Sequence, residues 1–166
     1  MTSAPRPLRD GLLVGLVAYA AVAVFYAAFD LLAARGALYT VNVLGKAVFR
    51  GLRDPAVVML PLPLDTGAIL LYNALHLVVS LVIGLVVVGL LVEAERHPAR
   101  RRVMLAVIVA GFLITVVAVG LASRPFRPVL PWWSIVAANT AAVMLAAWYL
   151  ERRLPGIGRR MLSAPA

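Results

Sequence analysis

His76 carries the side chain best suited to ligand binding or proton transfer in this sequence, and polar neighbours accompany it at helical spacing. Asn73, His76 and Ser80 stand at i, i+3 and i+7, one face of a helix, and Gly84 continues that face by a turn. Tyr19, Tyr26 and Asp30 share a face in the same way on an earlier segment. A later one supplies Ser134, Asn139 and Thr140, and another Gly111 and Thr115. An imidazole held by a phenol or an amide could exchange protons with water or bind a small polar ligand.

Metal and covalent chemistry find little material. The chain contains no cysteine, which removes thiolate ligands, disulfides and a cysteine nucleophile. A haem held by two histidines needs a pair at matching depth. The second histidine, His97, instead sits beside Glu93, Glu95 and Arg96, where a solvated charge cluster is expected. The His-Glu-x-x-His zinc motif is absent, as are the phosphate-cradling and dinucleotide-binding glycine motifs. Asp30 has no second carboxylate with which to share a proton, and a quinone or lipid head group at His76 and Tyr72 has no supporting motif. No catalytic residue, metal or cofactor is therefore assigned.

The elements that must position these residues follow from composition. Of 166 residues, 63% are apolar and 14% charged, too few polar groups to clothe a soluble domain. The +9 net charge comes from 16 basic residues, 15 of them arginine, against 7 acidic ones. They cluster between long apolar runs instead of forming a stripe with interleaved aromatics, so lipid head groups are the expected partner and nucleic acid is not. The heavy use of Arg, Ala, Val and Leu suggests a bacterial source.

Four runs are long enough to cross a bilayer core, which takes about 20 residues. They cover residues 11–34, 67–92, 103–122 and 132–150. A cleavable signal peptide is the rival reading of the first, but its apolar run exceeds the usual length of such a region. Trp132 and Trp133 at one end of the fourth run, with Trp148 and Tyr149 at the other, form an aromatic belt. Ten basic residues fall on the side of both termini and six on the other, which places the termini in the cytoplasm. With that orientation Asp30 lies roughly 6 Å below the outer boundary, and Asn73, Asn139, Tyr26 and His76 lie at about 9 to 14 Å, counted at the helical rise. These five residues are expected to form one polar cluster.

The connection from Arg35 to Thr66 has a pattern of its own. Val41, Leu44, Val48 and Leu52 recur at helical spacing, with Asn42, Lys46, Arg50 and Arg53 on the opposite face. This describes an interfacial amphipathic helix over residues 41–53, with Phe49 towards the acyl chains and Lys46, Arg50 and Arg53 available to a partner. Thr40 or Asn42 would cap it, Asp54-Pro55 would end it, and the Leu60 to Leu64 proline stretch would form a stiff connector.

Close helix packing is expected at Gly11 and Gly15, at Ser80 and Gly84, at Gly111 with Thr115, and along the Ala138, Ala142, Ala146 ladder. The ends, residues 1–10 and 154–166, are expected to fray. The chain thus reads as an all-α integral membrane protein, a single domain of four transmembrane helices in a bacterial inner membrane. A non-catalytic accessory, assembly or stabilising subunit of a larger membrane complex is the favoured function. Its partners would be the bilayer and other membrane subunits or further copies of itself. The alternative is a small homo-oligomeric transporter or channel using the polar cluster.

Overall fold

The computed structural model describes residues 6–54, 56 and 62–162. It is all-helical among these residues, in the order α1 Pro7–Leu32, α2 Tyr39–Phe49, α3 Thr66–Arg96, α4 Arg101–Ala122, α5 Trp132–Arg153 and α6 Ile157–Leu162. Helices α1, α3, α4 and α5 are long and apolar enough to cross a membrane, with α4 extended by the turn Pro98–Arg100. Helices α3, α4 and α5 cover their expected runs, whereas α1 begins earlier than expected and ends at Leu32, two residues short of its run. Pro7 opens α1 because its fixed φ and missing N–H suit a first helical turn, and the Asp10 carboxylate accepts the Arg6 N–H at 3.0 Å. Asp65 caps α3 by accepting the Ala68 N–H at 2.8 Å.

The long helices run alternately up and down, with α1 packed most extensively on α3 and then on α5. Small residues set this closeness, as expected at Gly11, Gly15, Ser80 and Gly84. A Cβ at Gly15 would stand 2.5 Å from the Ser80 carbonyl oxygen, one at Gly11 2.9 Å from Leu85 Cα, and one at Gly84 would meet the Gly11 carbonyl oxygen. Ala138 and Ala142 of the α5 ladder are buried as well. Gly111 behaves otherwise: nothing among the described residues approaches its Cβ position within 4 Å. It lies on α4, which has no buried residue and touches chiefly α3.

Two expectations about the ends are corrected. Residues 7–10 belong to α1, with Asp10 buried, while residues 1–5 lie outside the described residues. Residues 154–162 do not fray: Leu154, Ile157 and Met161 are buried against Ala94, and Glu151 accepts the Gly156 and Gly158 N–H groups at 2.6 and 3.1 Å. The apolar spacing Leu154, Ile157, Met161 is the local signal for that docking.

The first connection differs in extent and orientation from its sequence reading. Helix α2 spans 39–49, shorter than 41–53, because Gly51 takes a left-handed φ of 69° and the Leu52 N–H turns back to the Lys46 carbonyl at 3.2 Å. Pro55, Leu60 and Pro61 lie outside the described residues. Val43 and Ala47 are buried against Phe126, Val129 and Leu130, with Leu44 and Leu52 packed alongside, while Val48 is exposed. Gly45 lies on the first turn of α3, its Cβ position 2.5 Å from the Ala68 carbonyl oxygen. Helix α2 is therefore wedged into one end of the bundle.

Candidate functional site

The five residues expected to form one polar cluster fall into separate arrangements. Asp30, in the last turn of α1, is fully buried. Its carboxylate accepts the Thr40 N–H at 2.6 Å, the Thr40 hydroxyl at 2.7 Å and Arg35 Nη2 at 3.1 Å. Arg35 also donates from Nη1 to the Val129 carbonyl at 2.8 Å, and its guanidinium lies 5.1 Å from the Phe29 ring centre and 4.8 Å from that of Tyr39. The Leu38 side chain at the α2 N-cap accepts nothing, so the carboxylate supplied by α1 satisfies that helix start and faces its positive dipole end. Burial raises the Tyr39 phenol above its ordinary value, against the opposing pull of Arg35.

Tyr26 reaches a different helix. Its phenol oxygen is 3.5 Å from Ser134 Oγ, which itself donates to the Pro131 carbonyl at 2.7 Å, so the phenol is the donor of this pair. Phe29 meets Trp133 edge-on at 5.7 Å in the same layer. Asn139 turns its amide back to the Ile135 carbonyl at 2.8 Å, on its own helix. The expected meeting of Asp30, Tyr26 and Asn139 with His76 is thus not what the fold provides. Asp30 is engaged by the chain that follows it, and each other group finds a nearer acceptor.

His76 keeps two companions. Tyr19 on α1 donates to Asn73 Oδ1 at 3.0 Å, and Asn73 donates to the Ile69 carbonyl at 2.9 Å. The His76 ring lies 5.2 Å from that of Tyr19 and 6.3 Å from that of Tyr72. It is half-buried and forms no hydrogen bond among the described residues. The sequence reading named Tyr19 only as sharing a face with Tyr26, yet its phenol is the group that fixes Asn73.

The basic face of α2 also has a role that sequence periodicity misassigns. The buried Asn42 donates to the Pro63 carbonyl at 3.2 Å and accepts the Asp65 N–H at 3.0 Å. Lys46 donates to Pro63 at 2.6 Å, Arg50 grips Asp65 at 2.9 and 3.4 Å, and Arg53 donates to the Ala47 and Leu52 carbonyls. The α3 cap and the Arg50 guanidinium, in that order of effect, hold the Asp65 carboxyl below its ordinary value. Lys46 and Arg50 hold the connection against the start of α3, Arg53 turns back onto its own segment, and Phe49 is half-buried. The sequence assigns Asp65 and Arg35 no role, and marks Asn42 only as a polar-face or capping residue. The only local hint was Asp65 directly before an apolar run, the ordinary mark of a helix cap.

Among the described residues no group of three His, Asp or Glu side chains comes together as a metal site. His97 pairs with Glu93 at 2.9 Å, one turn back on α3, inside the charge cluster expected there. The chain matches no family model, and no curated protein or solved structure matches it, so the geometry is interpreted from its own residues.

Proposed function

We propose that this chain is a non-catalytic multi-pass subunit that supports the assembly or stability of a larger membrane complex. The observation that carries this reading is α4, a helix of 22 residues without one buried residue. Its Gly111 and Gly120 present open backbone, and Leu113, Ile114 and Val117 are exposed beside them. Open glycines allow the close backbone approach by which membrane helices associate, so the fitting occupant is a transmembrane helix of another subunit. The fate of the polar groups agrees with it: Asp30 is sealed by three donors, all of them within α2 or the turn before it, and opens no path. In this reading the chain resides in a bacterial cytoplasmic membrane with both termini inside.

The test is purification of the tagged chain from its native membrane in mild detergent, with mass spectrometry of all stoichiometric partners. Gly111→Leu is expected to release a partner that the wild-type chain retains, while His76→Ala retains it. Recovery of the chain alone, unchanged by Gly111→Leu, would overturn the reading.

A second reading, a small homo-oligomeric transporter, rests on one observation: the His76 imidazole has no hydrogen-bond partner among the described residues, which is costly within an apolar helix unless a ligand or water supplies one. Transport in reconstituted vesicles that is abolished by His76→Ala would favour it.

A further inference from the structure

The two ends of the bundle treat their positive charges differently. At the α2 end, Arg35, Lys46, Arg50 and Arg53 are consumed by carboxylates or carbonyls of the chain itself, which leaves only the exposed Arg124 and Arg127 uncommitted there among the described residues. At the other end the carboxylates are consumed first. Asp10 faces Arg153 at 3.8 Å, Glu95 holds Arg160 at 2.9 Å, Glu93 pairs with His97, and both Glu151 oxygens accept backbone N–H groups. Among the described residues, Arg9, Arg96, Arg100 and Arg102 are exposed and make no ion pair or side-chain hydrogen bond, and Arg152 only stacks on the exposed Trp148 ring at 4.6 Å. They come from the start of α1, the end of α3, the start of α4 and the end of α5, so every long helix contributes at this one end.

We infer that Arg9, Arg96, Arg100, Arg102 and Arg152 form a binding surface for the phosphate head groups of anionic phospholipids. A guanidinium presents a planar fork of donors that matches a phosphate, and these forks are unoccupied. Each lies within a turn or so of an apolar helix terminus, and the Trp148 beneath Arg152 is the residue type that sits at head-group level. A nucleic acid would need an exposed basic face away from the apolar belt, and these cations adjoin it. The surface is separate from the α4 face and stands whether or not a partner subunit binds there.

The experiment is native mass spectrometry of the full chain in mild detergent, titrated with phosphatidylglycerol and with phosphatidylcholine of the same acyl chains. The wild-type chain is expected to retain phosphatidylglycerol at least about tenfold better, and Arg96→Gln/Arg100→Gln/Arg102→Gln to lose most of that preference. Arg124→Gln/Arg127→Gln, which removes the two exposed arginines near the α2 end, is expected to change it less than about threefold. Raising salt to about 1 M, where the screening length falls to about 3 Å, is expected to weaken the wild-type preference. Should the triple variant misfold, Arg9→Gln/Arg152→Gln reads the same surface from two other helices. Equal retention of the two lipids, an unchanged preference in the variants, or an equal loss in the Arg124 and Arg127 control would each overturn the assignment.

Discussion

The Asp30 carboxylate accepts both the backbone N–H and the hydroxyl of Thr40, at 2.6 and 2.7 Å, so the end of α1 caps the start of α2 across ten residues of chain. Arg35 balances the charge from within the intervening turn, which Ala34 and Gly36 close with left-handed φ values of 54° and 82°. The outcome is a buried ion pair whose oxygens are all engaged. A buried pair of this kind is strongly destabilised when one member is removed alone.

Asp30→Ala is accordingly expected to cost about 3–5 kcal/mol, since it strands Arg35 and leaves the first turn of α2 without an acceptor. Thr40→Val removes one hydroxyl contact and should cost about 1 kcal/mol. Unfolding in mild detergent, followed by circular dichroism, measures both. A change at Asp30 no larger than that at Thr40 would contradict the capping role.

Glycine substitutions should separate internal packing from open surface. A Cβ at Gly15 would lie 2.5 Å from a backbone oxygen that cannot rotate away, so Gly15→Ala is expected to cost about 1–3 kcal/mol through separation of α1 and α3. Gly111→Ala meets open space and should be neutral or slightly stabilising, because alanine favours the helix. Thermal melts of the two variants side by side decide the matter.

The Asp65 carboxylate, which accepts the Ala68 N–H and then Arg50, gives a signed pH dependence. The folded chain lowers the Asp65 pKa below its ordinary 3.8, so the charged carboxylate favours the folded state. That contribution is complete above the ordinary value and disappears as pH falls through the lowered one. The wild-type advantage over Asp65→Ala in melting temperature should hold steady from neutral pH to about 5 and shrink below 3.8. An advantage that grows on acidification would have the wrong sign.

Tyr19→Phe and His76→Ala probe the remaining polar layer. Loss of the phenol removes the 3.0 Å bond to Asn73, a kind of contact worth about 0.6 kcal/mol between membrane helices. His76→Ala removes only ring packing against Tyr19 and Tyr72, expected at about 1 kcal/mol. Helix content should survive both. A loss of several kcal/mol at His76 would mean that the ring holds the bundle together.

What could be read from the sequence was whatever depends on neighbours along the chain. The four apolar helices were legible because span length and hydropathy are local sums, and Gly11, Gly15, Ser80 and Gly84 because close approach demands small residues whatever the partner. The polar groups were misread for the opposite reason. Depth placed Asp30 and His76 within reach of each other, but a hydrogen bond goes to the first well-oriented partner. For Asp30 that partner was the Thr40 backbone, at a helix start whose orientation no periodicity encodes. Amphipathic spacing likewise predicts that α2 has a basic face without saying what it faces. Only the tertiary structure decided that Lys46, Arg50 and Asn42 turn onto Pro63 and Asp65, that α6 docks on Ala94, and that α4 stays unburied. Hydrophobic segregation is additive along the chain, whereas pairing requires two distant segments to arrive at one place with matched geometry.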